Sequence, residues 1–348
     1  MPQRFARRLA VLCAAAAVPC SAAVQHDLVF DQPAPFARNE ALLERMFSPL
    51  LAQALREQLA KARGSTDTLA IDLAQERFEL YVPDGAAPAA GYGLLVFVPP
   101  WDAQGLPREW LAVLRRQQLI AVTAERSGNE QNVLGRRVPL ALSGYENVRQ
   151  RYPLDPQRVY IGGFSGGARV AMRVALAFPD VFRGALLNAG SDPFGSPEVP
   201  LPDAGLFGQF ERGTRLVYVT GTRDEAAAST DRRSHASAHS LCVSNLVDLP
   251  IRDGGHQPAD ARTFEHALQA LDAPRIETRD AEGCRAQRSA EIARANADAR
   301  SAFDAGDLKE AARRLAELDA HYGGLALPAS AELASRLRER GIEPLAKP

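Results

Sequence analysis

Residues 158–169, RVYIGGFSGGAR, decide the fold of this chain. The stretch begins with residues 159–161, whose β-branched and aromatic side chains predict a short buried strand. A glycine-rich segment follows at 162–167, with Ser165 among its glycines. Small and apolar residues then recur at helical spacing from Ala168 onward. The stretch therefore predicts a strand, a sharp turn and a helix, with Ser165 at the apex of the turn.

The pentapeptide 163–167 fits G-x-S-x-G, the nucleophile elbow that exposes a serine hydroxyl at the end of a strand. Glycine is required two residues before and two residues after the serine, because side chains there would collide as the strand and the helix pack together. A Walker A loop needs Gly-Lys-Ser/Thr, whereas Ala168-Arg169 follows here. A dinucleotide fingerprint needs another glycine spacing and an acidic residue after the next strand, where residues 188–190 read Asn-Ala-Gly.

The overall composition is that of an ordinary globular protein, with 46% hydrophobic and 24% charged residues. The length of 348 residues accommodates one large domain with an appendage. A formal net charge of −1 gives no basic surface for nucleic acid, so we expect no nucleic-acid partner. The His, Cys and Asp residues show no cluster with the spacing of a metal site, so no metal and no cofactor are expected.

The N-terminal segment 1–23 has the pattern of a signal peptide. Arginines come first, an apolar run follows at 9–18, and small residues end the segment at 21–23. The apolar run is too short to span a bilayer, so no integral membrane span is expected. Cys20 raises the question of a lipoprotein, but the proline directly before it argues against one. We expect cleavage after Ala23 and a periplasmic or secreted protein.

Cleavage would leave two cysteines, Cys242 and Cys284. An even pair in an oxidising compartment predicts a disulfide, and two unrelated buried thiols are the alternative. A bond between them would enclose the segment around His256 in one covalent loop and would tie the C-terminal segment to the rest of the chain.

Strands that alternate with helices predict a parallel, doubly wound α/β sheet. The strands read as continuous apolar runs, typical of burial on both faces, at 94–98, 120–122, 184–188, 216–219 and 246–251. The helices have apolar residues at helical spacing, at 39–62, 107–117, 135–152 and 259–271. Residues 69–73 and 78–82 predict a hairpin with its turn at Gln75-Glu76.

After Cys284 the chain changes character and becomes rich in alanine and arginine. The segment 303–311 resembles the turn between the helices of a tetratricopeptide hairpin, but one hairpin is short of the three repeats that a free-standing array needs. A helical cap packed on the main domain is therefore expected. The predicted units are a signal peptide (1–23), an N-terminal helical segment (24–66), an α/β-hydrolase catalytic domain (67–283) and a helical appendage (284–348).

A serine nucleophile needs a base, and the base needs an orienting acid, in the chain order serine, acid, histidine. Asp224 follows the strand 216–219, at the edge of the sheet where sites form. His256 stands in a glycine-flanked loop after the last strand, so it is the expected base. Asp192 is the rival acid, ranked below Asp224 because its strand position fits the topology less well. The other histidines are expected to be solvated or structural: His26, His235, His239, His266 and His321.

Two other parts of the site follow from the same topology. The oxyanion hole should use the N–H of Gly166, directly after the nucleophile, and an N–H after the strand 94–98. Because Pro99 and Pro100 have no N–H, Trp101 is the first candidate, and a packing role for its ring is an equal alternative. The aromatic segment 191–214 predicts a substrate pocket lined by Phe194, Phe207 and Phe210.

Residues 155–167, DPQRVYIGGFSGG, and residues 77–83, RFELYVP, resemble secreted α/β-hydrolases of the polyhydroxybutyrate-depolymerase and feruloyl-esterase-like family. The resemblance spans about residues 68–271 and implies carboxylic-ester hydrolysis. It also implies a nucleophile, an acid and a base at Ser165, Asp224 and His256. The family usually has His-Gly after the strand 94–98, where this chain has two prolines.

The expected function is that of an exported serine esterase, which acts through an acyl-enzyme on a small-molecule or polymeric ester. Two alternatives stay open. One is a peptidase on the same fold. The other is a non-catalytic binding protein on a degenerate hydrolase scaffold, with the helical tail as its protein-contact surface. The Pro-Pro departure favours the binding protein, and the intact set of Ser165, Asp224 and His256 favours an enzyme.

Overall fold

The computed structural model describes residues 23–63, 68–69, 71–103, 105–274 and 280–345. The expected signal peptide lies outside the described residues, apart from its last residue, Ala23. One eight-stranded sheet forms the centre, in the order β1-β2-β4-β3-β5-β6-β7-β8. Its strands are β1 (Ala23–Leu28), β2 (Phe78–Val82), β3 (Tyr92–Val98), β4 (Leu119–Ala124), β5 (Leu154–Phe164), β6 (Gly184–Asn188), β7 (Arg215–Val219) and β8 (Leu246–Asp248).

The six strands β3 to β8 pair with one another in parallel, and β2 is antiparallel to both of its neighbours, β1 and β4. The described helices are α1 (Asn39–Met46), α2 (Pro49–Arg63), α3 (Leu111–Arg116), α4 (Val138–Arg151), α5 (Gly166–Ala177), α6 (Ala204–Gly213), α7 (Glu225–Ser240), α8 (Ala261–Asp272), α9 (Ala281–Asp304), α10 (Leu308–Tyr322) and α11 (Ala329–Glu339). The mostly parallel α/β sheet expected from the sequence is confirmed.

Helices cover both faces of the sheet. Side chains alternate along β3, so Val96 packs with α4 and α5 on one face while Phe97 packs with α3 and α8 on the other. Every side chain of β3 is buried, as its continuous apolar run predicts. The carboxyl ends of the parallel strands consequently meet at one edge of the sheet.

Two details of the N-terminal half differ from the sequence prediction. The expected hairpin does not form, because β2 lies inside the sheet between β1 and β4 and the residues before it form a 3₁₀ turn, Leu73–Gln75. The N-terminal segment 24–66, which was expected to be helical, also contributes a strand, β1. The single helix expected at 39–62 is two helices, since Pro49 begins α2 and the Ser48 hydroxyl accepts a hydrogen bond from the Leu51 N–H.

The C-terminal helices predicted from the sequence are present as α9, α10 and α11. They share an apolar cluster around Leu315 and Leu337, and Leu50 from α2 joins it. The Sγ atoms of Cys242 and Cys284 lie 2.04 Å apart, which joins the segment after α7 to α9. None of the helices in the part of the chain that the structure describes is long and apolar enough to cross a membrane.

Candidate active site

The glycine-rich stretch forms a sharp turn between β5 and α5, with Ser165 at its apex. Ser165 has φ 54° and ψ −123°, a conformation that non-glycine residues adopt only at an energetic cost. A Cβ at Gly163 would lie 2.3 Å from the Gly167 carbonyl carbon, and one at Gly167 would lie 1.9 Å from Val98 O. The two outer glycines of the motif therefore allow α5 to approach β5 and β3 closely.

Three polar side chains meet at this turn. His256 Nε2 lies 2.9 Å from Ser165 Oγ, and His256 Nδ1 lies 2.6 Å from Asp224 Oδ2. The Asp224 side chain is only 7% exposed, and its Oδ1 accepts a hydrogen bond from the Ala227 N–H at the start of α7. The geometry is that of a nucleophile, a base within hydrogen-bond reach and an acid that orients the base.

The rival acid, Asp192, lies elsewhere. Its carboxylate faces Arg169 and Arg173, at 3.6 and 3.3 Å, and no contact joins it to His256 among the described residues. Burial raises the pKa of Asp192, while the two arginines oppose that rise. The structure therefore brings Asp224, and not Asp192, to the imidazole.

The loop that carries His256 is bonded to the loop that carries Asp224. Gly254 O accepts from the Arg223 N–H at 2.8 Å, and Ile251 O accepts from the Thr222 N–H at 3.0 Å. These bonds continue the parallel pairing of β7 and β8 beyond the ends of the strands. The acid and the base are consequently held by one continuous ladder.

Asn188, the last residue of β6, holds the other end of the His256 loop. Its Nδ2 donates to Val219 O at 2.9 Å and to Gln257 O at 3.4 Å, and its Oδ1 accepts from the Ala259 N–H at 2.7 Å. Asn188 is fully buried. Sequence reasoning treated it only as a strand end, although a polar residue that ends an otherwise apolar buried strand is a signal for such a role.

The loop after β3 is fixed by a buried arginine that sequence reasoning also missed. The Arg137 guanidinium donates to Pro99 O at 2.9 Å and to Ser127 O at 2.8 Å. Pro100 O accepts from the Asn129 N–H at 3.0 Å. Burial lowers the pKa of Arg137 to about 10, with a smaller contribution from the nearby charge of Arg173.

The two candidate oxyanion donors are the N–H groups of Gly166 and Trp101. Gly166 is the first residue of α5, so its N–H has no acceptor within the helix. The Trp101 ring lies 6.1 Å from the Phe164 ring, so Trp101 also has the packing role weighed in the sequence analysis. Asn129 adds a group not foreseen, because a Cβ at residue 166 would lie 2.2 Å from its Oδ1. The Asn129 amide therefore covers the Cα of Gly166.

The three aromatic residues expected to line a substrate pocket do not do so. They are at most 1% exposed, and they line none of the described cavities. Their rings pack on one another, with centroid distances of 5.5 and 6.3 Å. The physical reason is that α6 forms within this segment and turns two of the rings into the core, where the third, which precedes the helix, packs against them. The three residues are Phe194, Phe207 and Phe210.

The sheet order, the antiparallel β2 and the sharp serine turn between β5 and α5 define an α/β-hydrolase fold. No family model and no curated protein sequence matches the chain. Among solved structures it is similar to S-formylglutathione hydrolase from Staphylococcus aureus, at 12% identity and TM-score 0.44 over 57% of this chain and 93% of that one.

Two further solved structures show a comparable likeness. Poly(aspartic acid) hydrolase-1 from Sphingomonas sp. KT-1 has 16% identity and TM-score 0.44, over 57% of this chain and 94% of that one. The feruloyl esterase module from Clostridium thermocellum has 15% identity and TM-score 0.40, over 56% and 82%. At such identities and scores, the chemistry of this chain must be argued from its own site.

Proposed function

We propose that this chain is a serine hydrolase that cleaves carboxylic esters through an acyl-enzyme, with Ser165, His256 and Asp224 as its catalytic triad. One observation carries the proposal. The three side chains form a continuous chain of hydrogen bonds, with His256 Nε2 2.9 Å from Ser165 Oγ and His256 Nδ1 2.6 Å from Asp224 Oδ2. Nucleophile and base within hydrogen-bond reach, with a third group orienting the base, are the signature of such catalysis.

In the first half-reaction, Ser165 Oγ attacks the ester carbonyl carbon while His256 Nε2 takes the serine proton. The carbonyl oxygen becomes an oxyanion, which accepts hydrogen bonds from the proposed donors, the N–H groups of Gly166 and Trp101. The tetrahedral intermediate then expels the alcohol oxygen, to which His256 returns the proton. Asp224 keeps Nδ1 protonated and stabilises the imidazolium.

In the second half-reaction, His256 takes a proton from water, whose oxygen attacks the acyl carbon. Collapse of that intermediate releases the carboxylic acid and restores the Ser165 hydroxyl. The resemblance of residues 155–167 and 77–83 to esterases supports an ester substrate over a peptide. Backbone N–H donors that are fixed before the substrate arrives stabilise the oxyanion without reorganisation. The hydrogen bonds that hold the loop after β3 support such a role for the Trp101 N–H.

The direct test is labelling by a fluorophosphonate, followed by peptide mapping. We expect one modified peptide, with the label on Ser165, and no labelling of the Ser165→Ala variant. A screen on p-nitrophenyl esters, feruloyl esters and peptide amides then measures the class of bond. A folded wild-type protein that neither labels nor hydrolyses would favour the binding-protein alternative, and faster cleavage of amides than of esters would favour the peptidase.

We also propose that the protein is exported. The charge and hydropathy pattern of residues 1–23 supports this, and so does the bonding distance between the Cys242 and Cys284 sulfur atoms. Cleavage after Ala23 leaves the pairing of Val24 with Tyr81 intact, so β1 stays in the sheet. N-terminal sequencing of protein from the periplasm or medium should begin at Val24, and a mature chain that begins at Met1 would contradict the proposal.

A further inference from the structure

A cavity of about 780 Å³ lies where β2 begins and β4 ends, beside the proposed triad. We call it the β4-end cavity. Its polar and aromatic lining includes Glu79, Trp101, Glu109, Thr123, Glu125 and Gln257. Its size is ample for part of a small-molecule ligand.

Two of the lining residues connect this cavity with the reacting groups. Gln257 directly follows His256 in the chain. The Trp101 ring lies 6.1 Å from the Phe164 ring, which in turn lies 5.0 Å from the His256 imidazole. An ester bound at Ser165 can therefore extend past the imidazole and the Trp101 ring into the cavity.

Thr123 is the polar residue in the lining that most needs a ligand. It is 3% exposed, and its Oγ1 has no hydrogen-bond partner among the residues that the structure describes. Thr123 pairs with Glu79 across β4 and β2, so both side chains lie on the same face of the sheet. A buried hydroxyl without a partner is costly to the folded protein, and a valine of the same shape would avoid that cost. A threonine here is best explained by a ligand that bonds to the hydroxyl.

The charge of the cavity selects the kind of ligand. Three carboxylates lie in its lining, against one exposed guanidinium, Arg108, and one imidazole, His26. His26 Nδ1 lies 2.9 Å from Glu79 Oε2, so Glu79 already has a partner. Glu109 and Glu125 form no ion pair with any other described residue. The lining therefore favours a positively charged group over a neutral or negative one.

We propose that the β4-end cavity binds a protonated amine carried by the ester substrate. An ammonium group has three donors and no acceptor, so it can donate to Thr123 Oγ1 and to the Glu125 carboxylate together. The Trp101 ring adds a face that attracts cations. This inference rests on the proposed function, because it makes the cavity a part of that ester site.

The test uses three ligands of equal length, pentylammonium, 1-pentanol and pentanoate, at pH 7. Ligand-observed NMR with the Ser165→Ala protein measures binding without any catalytic step. We expect pentylammonium to bind up to about fivefold more tightly than 1-pentanol and pentanoate to bind least, an advantage of the order seen for a partly exposed charge pair. In the wild type, the same order should appear in protection of Ser165 from a fluorophosphonate.

Variants in the Ser165→Ala background separate the cavity from the rest of the surface. Glu125→Gln and Thr123→Val should each weaken pentylammonium binding about two- to fivefold. Glu339→Gln changes a similarly isolated carboxylate on α11 and should leave binding unchanged. Thr123→Val should be at least as stable to thermal unfolding as its parent, so a loss of affinity would not reflect misfolding.

The outcomes for the two proposals are distinguishable. Equal binding of pentylammonium and 1-pentanol, or binding that neither cavity variant weakens, would overturn the inference even if Ser165 labels normally. Failure of Ser165 to label would overturn the proposed function, whereas the NMR measurement would still decide whether the cavity binds an amine.

Discussion

The Asn188→Leu variant tests how the base is positioned. Leucine has a similar volume, so the change removes hydrogen bonds without opening a large cavity in the core. Three bonds are lost, two donated to Val219 O and Gln257 O and one accepted from the Ala259 N–H. The bonds to Gln257 and Ala259 hold the segment directly after His256, so the imidazole should lose its fixed position.

The size of the effect can be worked from these bonds. Val219 O keeps a partner, the Ala189 N–H at 2.9 Å, so its loss is small. The buried Ala259 N–H loses its side-chain acceptor, which costs about 1–3 kcal/mol, and the bond to Gln257 adds at most about 1 kcal/mol. We expect the free energy of unfolding to fall by about 1–4 kcal/mol. A displacement of the imidazole by about 1 Å should slow reaction at Ser165 about 100-fold.

The assay is the second-order rate of fluorophosphonate labelling at Ser165, measured beside denaturant unfolding. Asn296→Leu is the matched control, because Asn296 donates to Ile292 O and Ala326 O within the C-terminal helices. It should lower stability while leaving the labelling rate unchanged. An Asn188→Leu protein that is folded and destabilised but labels at the wild-type rate would refute the positioning role.

Three further predictions address the turn, the cysteine pair and a buried acid. Ser165→Gly and Ser165→Ala should both abolish labelling. The glycine variant should have a free energy of unfolding about 1 kcal/mol higher than the alanine variant, because glycine tolerates φ 54°; denaturant curves that show the alanine variant to be the more stable would contradict the strain at this position. Reduction of the bond between Cys242 and Cys284, which are 42 residues apart, should lower the free energy of unfolding by up to about 4 kcal/mol, measured by calorimetry. It should also slow labelling of Ser165; an unchanged labelling rate would show that the bond does not support the active site. Burial raises the pKa of Asp319 to about 6, opposed by a hydrogen bond from Ser48, so the folded state binds more protons than the unfolded state between about pH 4 and pH 6. Stability should therefore fall as pH rises to about 6, and the advantage of Asp319→Asn should grow by up to about 3 kcal/mol between pH 4 and 7 in urea unfolding; a pH-independent difference would refute it.

The residues of the candidate triad could be chosen from the sequence because each follows a recognisable strand. Ser165 comes directly after β5 within a glycine pattern, and Asp224 comes shortly after β7. His256 stands between glycines and the start of α8. In a parallel sheet all such positions meet at one edge, so chain order and strand boundaries were enough to bring them together.

The residues that support the triad could not be chosen in this way. The bonds of Asn188 reach residues 31, 69 and 71 positions away, and those of Arg137 reach 10 and 38 positions back. Arg137 belongs to no local pattern, and the polar end of β6 marks Asn188 without indicating which distant groups it bonds to. The three phenylalanines assigned to a pocket fail for a related reason, because apolar spacing indicates a buried face without indicating whether a ligand or the core covers it. A cavity lined by scattered polar residues, such as that around Thr123, leaves no periodic signal at all.

The two prolines after β3 weakened the sequence case for an enzyme, but the contacts around them change that argument. Proline removes two N–H donors from the loop, yet its carbonyls remain acceptors, and here both are used: Pro99 O by Arg137 and Pro100 O by the Asn129 N–H. Asp102 Oδ1 accepts from the Gly128 N–H at 2.8 Å, so the loop is bonded on both sides of Trp101. A donor in a loop with fixed φ angles and three anchors need not reorganise when an oxyanion forms. The Pro-Pro departure is therefore compatible with a preorganised Trp101 N–H, and the proposal of an enzyme does not require the residues that the family usually has there.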